Sequence, residues 1–155
     1  HAVNRWPSAS FAELADRITE QLSVKVVIVG GPDDVPLAEE ILALSRTKPL
    51  SLAGRTSLLQ LGAVLERCRL LVSGDTGPLH IARALGVPVV ALFGPTSEKQ
   101  HAFREIDRVL AVEIECRPCS AHGDRICPER HHRCMKELDG ERVHRAVLRV
   151  IGADG

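Results

Sequence analysis

Hydrophobic and polar residues alternate along the chain in two rhythms, which predict helices and strands in turn. Within residues 11–22 the apolar positions recur at helical spacing, which predicts an amphipathic helix. Residues 24–29 are nearly continuously apolar and β-branched, which is typical of a buried parallel strand. The same reasoning predicts further helices at 36–44, 58–68, 77–85 and 141–151, and strands at 50–52, 70–72, 87–93 and 108–112.

This alternation predicts an α/β fold, a Rossmann-like parallel sheet with helices on both faces. The whole chain, residues 1–155, is long enough for a single domain with a core of its own. Ligands of such sheets bind where strands end and helices begin, so the chemistry is expected in the loops at 30–34, 53–57, 73–80 and 93–97. The segment 116–139 is rich in Cys, His and Arg and predicts irregular structure.

Composition argues against several classes of partner. Basic and acidic residues are balanced at 20 each, and aromatic residues make up 3% of the chain with no Tyr, so no nucleic-acid partner is expected. No apolar run approaches the roughly 20 residues of a membrane-spanning helix, and no signal peptide is recognisable. A cytoplasmic location is expected, and the first residues read as a cut into a longer protein.

The most informative stretch runs from the predicted strand at 70–72 into the helix at 77–85. Gly77-Pro78 suits the first helical turn, because proline has no N–H to leave unpaired there. Thr76 occupies the N-cap position, and the free N–H groups of a helix start attract anions such as a diphosphate. Asp75 is expected to orient the loop or to accept bonds from sugar hydroxyls, and His80 to reach a phosphate oxygen. The alternative is that Asp75 and Thr76 merely cap the helix and His80 packs internally.

Several ordered motifs resemble the ADP-heptose:lipopolysaccharide heptosyltransferase family (glycosyltransferase family 9). They are Asp75-Thr76-Gly77-Pro78-Leu79-His80, Ala84-Leu85-Gly86-Val87-Pro88 and Leu92-Phe93-Gly94-Pro95-Thr96, with Arg5-Trp6-Pro7 and residues 29–32 and 52–58 upstream. The resemblance covers nearly the whole chain but only the C-terminal half of a family member. It implies an inverting glycosyltransferase of the two-domain GT-B fold, of which this chain is the donor-binding half.

The resemblance also implies which residues bind the nucleotide-sugar donor, ADP-heptose. Asp75, Thr76 and Gly77 would hold the sugar and the diphosphate, with His80 near the diphosphate. The full set is Arg5, Asp34, Thr56, Asp75, Thr76, Gly77, His80, Gly94 and Thr96.

The remaining members of this set have more specific expected roles. Asp34 stands where family members often have a Glu that binds the ribose hydroxyls, and Thr56 stands where a residue lines the base pocket. Residues 94–96 would border the donor cleft. Family members commonly carry a Lys where this chain has Asn4, so either Arg5 supplies that charge or the donor is held differently.

No catalytic residue is expected in this chain. The resemblance implies a separate N-terminal domain that binds the lipid-linked saccharide acceptor of the lipopolysaccharide inner core and supplies the catalytic carboxylate. The chain would stabilise the leaving diphosphate. Contact with the inner face of the bacterial inner membrane stays open. The alternatives are a GT-B-like sugar-nucleotide epimerase domain and a non-catalytic nucleotide-binding module.

Four cysteines cluster in the segment 116–139. Four thiolates suit a tetrahedral structural zinc, whereas a disulfide is disfavoured in a reducing cytoplasm. The alternative without a metal is that the four cysteines are small buried side chains of this irregular segment. No cofactor is expected for the transfer itself, and the zinc candidates are Cys116, Cys119, Cys127 and Cys134.

Overall fold

The computed structural model describes residues 5–120 and 126–152, and it follows the predicted alternation of helices and strands. The helices are α1 (Ser8–Leu22), α2 (Val35–Leu44), α3 (Leu58–Leu65), α4 (Gly77–Ala84), α5 (Arg133–Lys136) and α6 (Gly140–Ile151). The strands are β1 (Val27–Ile28), β2 (Leu50–Ser51), β3 (Leu71–Gly74), β4 (Val89–Phe93) and β5 (Arg108–Ala111), with 3₁₀ turns at Pro32–Asp34 and Glu98–Gln100.

The chain divides into two compact units, which are described separately. Unit 1 comprises His1–Trp6 and Leu65–Gly155, and unit 2 comprises Pro7–Val64. The expectation that residues 1–155 form one nucleotide-sugar-binding domain stays a prediction. A membrane-spanning helix, one both long and apolar enough to cross a bilayer, does not occur in the part of the chain that the structure describes.

Unit 2 contains a short parallel sheet of β1 and β2, with α1 packed on α2. Val27 pairs with Leu50, and Ile28 with Ser51. The strand predicted at 24–29 is shorter and only half-buried, because its hydrogen-bonded partner β2 is equally short. Hydrogen bonding continues just past the strand ends, from Gly54 N–H to the carbonyl of Gly30 at 3.0 Å.

A buried carboxylate ties α1 to the end of α2 in unit 2. Asp16 on α1 is 2% exposed and accepts hydrogen bonds from Ser45 Oγ at 2.6 Å and from the backbone N–H groups of Arg46 and Thr47, each at 2.9 Å. Burial favours the neutral acid, but these hydrogen bonds outweigh it and hold the pKa of Asp16 well below its ordinary value. The helix pair is therefore locked by an ionised group.

Unit 1 is built on a parallel sheet in the order β3-β4-β5. The central strand β4 is buried at every position, as its continuous apolar sequence predicts. Helix α4 packs on β3 and β4, while α6 packs on β4 and β5. The side chain of Trp6 is 1% exposed, and its indole N–H donates to the carbonyl of Leu138 at 2.9 Å, which fixes the start of the described chain to this unit.

The register of this sheet determines where its loops lie. Gly74, the last residue of β3, pairs with Leu92, and Phe93 at the end of β4 pairs with Ala111. Since carboxyl ends of parallel strands share one edge, the loops that follow β3 and β4 emerge side by side. The described parts of the segment 116–139, residues 116–120 and 126–139, are irregular as predicted, apart from the single turn of α5; residues 121–125 lie outside the described residues.

Candidate functional site

The turn between β3 and α4 leaves a helix start without a side-chain cap. Thr76 is the N-cap residue in extended conformation (φ −143°, ψ 170°), and its side chain makes no capping hydrogen bond within the described chain. Its hydroxyl lies instead 3.0 Å from Ser73 Oγ. Thr76 thus occupies the predicted N-cap position, but its side chain does not cap the helix. The first turn of α4 therefore keeps the anion-binding character of a helix N-terminus.

Gly77, the first residue of α4, faces open space. A Cβ built at this position would meet nothing within 4 Å among the described residues, and the backbone there is not left-handed. Neither packing nor backbone geometry requires glycine at this position. What the missing side chain provides is access to the backbone N–H groups of the helix start, as at pyrophosphate-binding turns.

Asp75 lies between two imidazole rings beside this helix start. Its Oδ1 is 3.3 Å from His80 Nε2 and 3.7 Å from His101 Nε2. The His80 side chain is 48% exposed, so the alternative that it packs internally is wrong. The structure thus brings Asp75 and His80 together at one surface, with the carboxylate within ion-pair distance of the imidazole.

His101, the second imidazole near Asp75, was not among the residues predicted from the sequence. It follows the 3₁₀ turn Glu98–Gln100 and lies in an aromatic cluster, with ring centroids 5.4 Å from His80 and 5.5 Å from Phe93. No motif marks this position. The one sequence feature that could have indicated His101 as a site residue is its position a few residues beyond a loop at the carboxyl edge of the sheet.

Residues 94–98 form the loop after β4, called the donor loop below. A Cβ on Gly94 would lie 2.6 Å from Met135 Sδ, so glycine is required here by close packing. Thr96 is 2% exposed, and its hydroxyl has no hydrogen-bond partner in the described part of the chain. A buried hydroxyl without a partner is costly, and such groups need an explanation. The predicted places of Gly94 and Thr96 at the donor cleft stay predictions.

The other predicted donor residues are placed as follows. Asp34 of unit 2 accepts a hydrogen bond from Gly31 N–H at 3.0 Å, at the turn that precedes α2. Thr56 of unit 2 is half-buried between β2 and α3, and Arg5 is half-buried in unit 1. Asn4 lies outside the described residues. The contacts of Asp34, Thr56 and Arg5 with a donor stay predictions.

The four clustered cysteines line one pocket of unit 1, and each is a free thiol. Backbone N–H groups, first that of His132, point at Cys127 and lower the pKa of its thiol, whereas burial raises the pKa of Cys134. Four thiols match the ligand chemistry of zinc. However, within residues 5–120 and 126–152, no group of three or more Cys, His, Asp or Glu side chains is arranged to hold a metal ion. The zinc site stays a prediction.

Comparison with known proteins identifies the family. A family model described as glycosyltransferase family 9 (heptosyltransferase) matches residues 2–129. The chain belongs to this family. A similar relative of this family 9 chain is lipopolysaccharide heptosyltransferase 2 of Salmonella typhimurium, 37% identical over 162 residues that cover 99% of this chain and 44% of the relative.

Solved structures confirm the fold of this family 9 chain. A glycosyl transferase family 9 protein from Veillonella parvula superposes with a TM-score of 0.82 at 27% identity, covering 99% of this chain and 44% of that one. The E. coli ADP-heptose lps heptosyltransferase II gives a TM-score of 0.80 at 27% identity, covering 98% and 43%. The predicted fold class, a parallel α/β fold in one half of a GT-B glycosyltransferase, is confirmed. The described strands form two parallel sheets, β1-β2 and β3-β4-β5, where a single sheet was predicted. The chain spans less than half of the length of these relatives.

Proposed function

We propose that this chain is the donor-binding part of an inverting heptosyltransferase, which transfers heptose from ADP-heptose to the lipopolysaccharide inner core. The observation that carries the proposal is the open start of α4 at Gly77, flanked by Asp75 and His80. The names of the relatives, lipopolysaccharide heptosyltransferase 2 and ADP-heptose lps heptosyltransferase II, support the sugar and the nucleotide. Neither the epimerase nor the non-catalytic alternative is favoured by these names.

The diphosphate is assigned to the first turn of α4. Backbone N–H groups at a helix start bind phosphate oxygens, and a partial positive charge of the helix dipole adds to the attraction. His80, about half exposed and held by Asp75, stands one turn into the helix, where its ring supplies a further donor. The carboxylate of Asp75 is repelled by phosphate, so its free lone pairs are assigned to hydroxyl groups of the sugar.

Transfer then divides between this chain and an acceptor domain. The bond from the anomeric carbon to the acceptor oxygen forms as the bond from that carbon to the diphosphate oxygen breaks, and ADP leaves. The negative charge that develops on the diphosphate is stabilised at the α4 start and by His80. The proton of the acceptor hydroxyl goes to a carboxylate outside this chain, because Asp75, in the turn between β3 and α4, is already engaged by two imidazoles.

The remaining parts of the proposal concern partners and location. The acceptor is a lipid-linked saccharide bound by the other domain, and the protein works in the cytoplasm at the inner face of the inner membrane. Such an acceptor is presented at a membrane surface, which makes peripheral contact part of the proposal. Donor binding by backbone N–H groups and imidazoles calls on no cofactor, and a structural zinc would act only through folding.

Calorimetric titration of two variants with ADP and with ADP-heptose tests the proposal. In Asp75→Asn, affinity for ADP-heptose is expected to fall about 10- to 150-fold more than affinity for ADP, since a charged hydrogen bond contributes about 1.5–3 kcal/mol. His80→Ala is expected to weaken both ligands alike, because both carry the diphosphate. Glu105→Gln removes an exposed carboxylate of unit 1 and is the matched control, with unchanged affinities expected.

Because Asp75 lies next to His80, the double variant Asp75→Asn/His80→Ala gives further information. Its loss of binding free energy should be smaller than the sum of the losses in the two single variants, as expected for groups in contact. Equal losses of ADP and ADP-heptose affinity in Asp75→Asn would contradict the assignment of Asp75 to the sugar. Normal ADP affinity in His80→Ala would contradict the assignment of the diphosphate to α4.

A further inference from the structure

A nearly buried arginine lies behind the donor loop. Arg117 lies between Cys116 and Cys119, two of the zinc candidates, and no sequence pattern assigns it a role. Its side chain is only 9% exposed. An arginine is rarely buried unless its donors are engaged, so the partners of the guanidinium indicate what the residue does.

All three guanidinium nitrogens donate hydrogen bonds, and most of them go to the donor loop. Nε donates to the carbonyl of Gly94, and one terminal nitrogen donates to the carbonyl of Val112 at 3.0 Å. The other terminal nitrogen donates to the carbonyl of Thr96 at 3.2 Å and to the carboxylate of Glu98 at 3.1 Å. The planar fork thus holds the loop at three of its five positions, which a lysine ammonium cannot do.

The residues that follow Arg117 also bind the donor loop, through their backbone. The backbone N–H groups of Cys119 and Ser120 both donate to the carbonyl of Pro95, at 3.0 and 3.2 Å. Met135 of α5 packs against Gly94 so closely that no Cβ fits. The Cys-rich segment therefore packs onto the donor loop through backbone hydrogen bonds and through the buried side chain of Met135.

The loop that Arg117 holds leads directly to the site. Glu98 begins the 3₁₀ turn Glu98–Gln100, and the next residue is His101, whose Nε2 lies 3.7 Å from Asp75. The pKa of Glu98 lies below its ordinary value, because its own backbone N–H and the Arg117 guanidinium favour the carboxylate. The ion pair with Arg117 thus fixes the Glu98 end of the turn. His101 is the residue directly after this turn.

We infer that Arg117 is a positioning residue for donor binding: its guanidinium fixes residues 94–98 and, through the following turn, holds His101 against Asp75. This inference rests on the proposed donor site, since the loop matters for binding only if the donor occupies the α4 start. Arg117 itself touches neither Asp75 nor His80 in any contact of the structure. Its effect on the ligand is carried by the backbone of the loop.

Arg117→Lys tests the inference, with Arg133→Lys as the matched control. Arg133 is 55% exposed and pairs with Glu137 one helical turn away, so its replacement by lysine changes only a surface ion pair and no loop contact. At a temperature where circular dichroism shows every variant folded, Arg117→Lys is expected to weaken ADP and ADP-heptose about tenfold. Arg133→Lys is expected to leave both affinities within about twofold.

A second readout separates positioning from mere stability. The ring resonances of His101 in the ligand-free protein are expected to move in Arg117→Lys and to stay in place in Arg133→Lys. A purely structural role would lower the unfolding temperature of Arg117→Lys while leaving these resonances and the affinities unchanged, and that result would overturn the inference. Moved resonances with unchanged affinities would overturn it as well.

Two further outcomes are distinguishable. If Arg117→Lys does not fold, Glu98→Gln removes one contact of the fork, and a loss of about threefold with displaced His101 resonances is expected. Wild-type affinity and resonances in that variant would then count against the inference. If the wild-type chain binds neither ligand, the proposed function fails, and the His101 resonances alone decide whether Arg117 positions the loop.

Discussion

Replacing Gly77 by Ala separates the needs of the fold from those of the ligand. Glycine at this position is explained neither by close packing nor by a left-handed backbone, since an added Cβ meets nothing within 4 Å in the described chain. Alanine at this position is therefore expected to stabilise the folded chain, because it lowers the conformational entropy of the unfolded chain. The substitution is expected to raise the free energy of unfolding by about 0.4–1 kcal/mol.

Ligand binding should respond in the opposite direction. A methyl group at the first residue of α4 occupies the space through which phosphate oxygens reach the backbone N–H groups. Loss of one charge-assisted hydrogen bond costs about 1.5–3 kcal/mol, which corresponds to a fall in ADP affinity of about 10- to 150-fold. Stability and affinity are thus expected to change with opposite signs.

The assay combines urea unfolding with calorimetric titration of ADP, and Gly140→Ala is the matched control. Gly140 is the first residue of α6, and a Cβ there would make only an ordinary contact, 3.8 Å from Trp6 Cζ2. This control is expected to keep wild-type affinity. Wild-type ADP affinity in Gly77→Ala would refute the assignment of the diphosphate to the α4 start, and marked destabilisation would refute the claim that the fold leaves this space empty.

Two further predictions concern the lock in unit 2 and the cysteines. Asp16→Asn is expected to lower the free energy of unfolding by about 1–3 kcal/mol at pH 7. Because the pKa of Asp16 is lowered in the folded protein, its contribution to the free energy of unfolding is present above the unfolded pKa of about 3.9 and is lost as pH falls below it. The free energy of unfolding of the variant, measured with urea, should therefore depend less on pH between about pH 5 and pH 3 than that of the wild type. An unchanged slope against pH would contradict the role of Asp16 in joining α1 to α2. The zinc prediction expects about one zinc per chain in protein purified under reducing conditions, whereas metal-free protein whose clustered cysteines all titrate as thiols would leave only the packing interpretation.

The parts of the fold that sequence predicted well are those dictated by local pattern. The uninterrupted apolar run at 89–93 gave a fully buried central strand, and the helical spacing of Val143 and Val147 gave a helix whose apolar face is buried. The turn at 73–80 was also predictable, because glycine and proline at a helix start have few other uses. Strand β1 was overestimated because β-branched residues do not show how long a partner strand is.

The parts that sequence could not predict depend on contacts between distant residues. His101 reaches Asp75 across 26 positions of the sequence, and Arg117 reaches Gly94 across 23. Neither residue belongs to a motif at the helix start, and a loop without periodicity carries no signal of where its side chains end. The arrangement of the clustered cysteines around one pocket is of the same kind, since spacing predicts candidates but not how their sulfur atoms are oriented.

Calorimetric titration of the wild-type chain with ADP-heptose, ADP, a UDP-sugar and a GDP-sugar tests whether this chain binds the proposed donor. ADP-heptose and ADP are expected to bind, ADP-heptose more tightly because Asp75 adds contacts to the sugar. The UDP- and GDP-sugars are expected to bind at least about tenfold more weakly, a difference of about 1.4 kcal/mol. The chain alone should transfer no heptose to an acceptor. Absence of binding to both ADP and ADP-heptose would contradict the account, and heptose transfer by the chain alone would contradict the division of work between this chain and an acceptor domain.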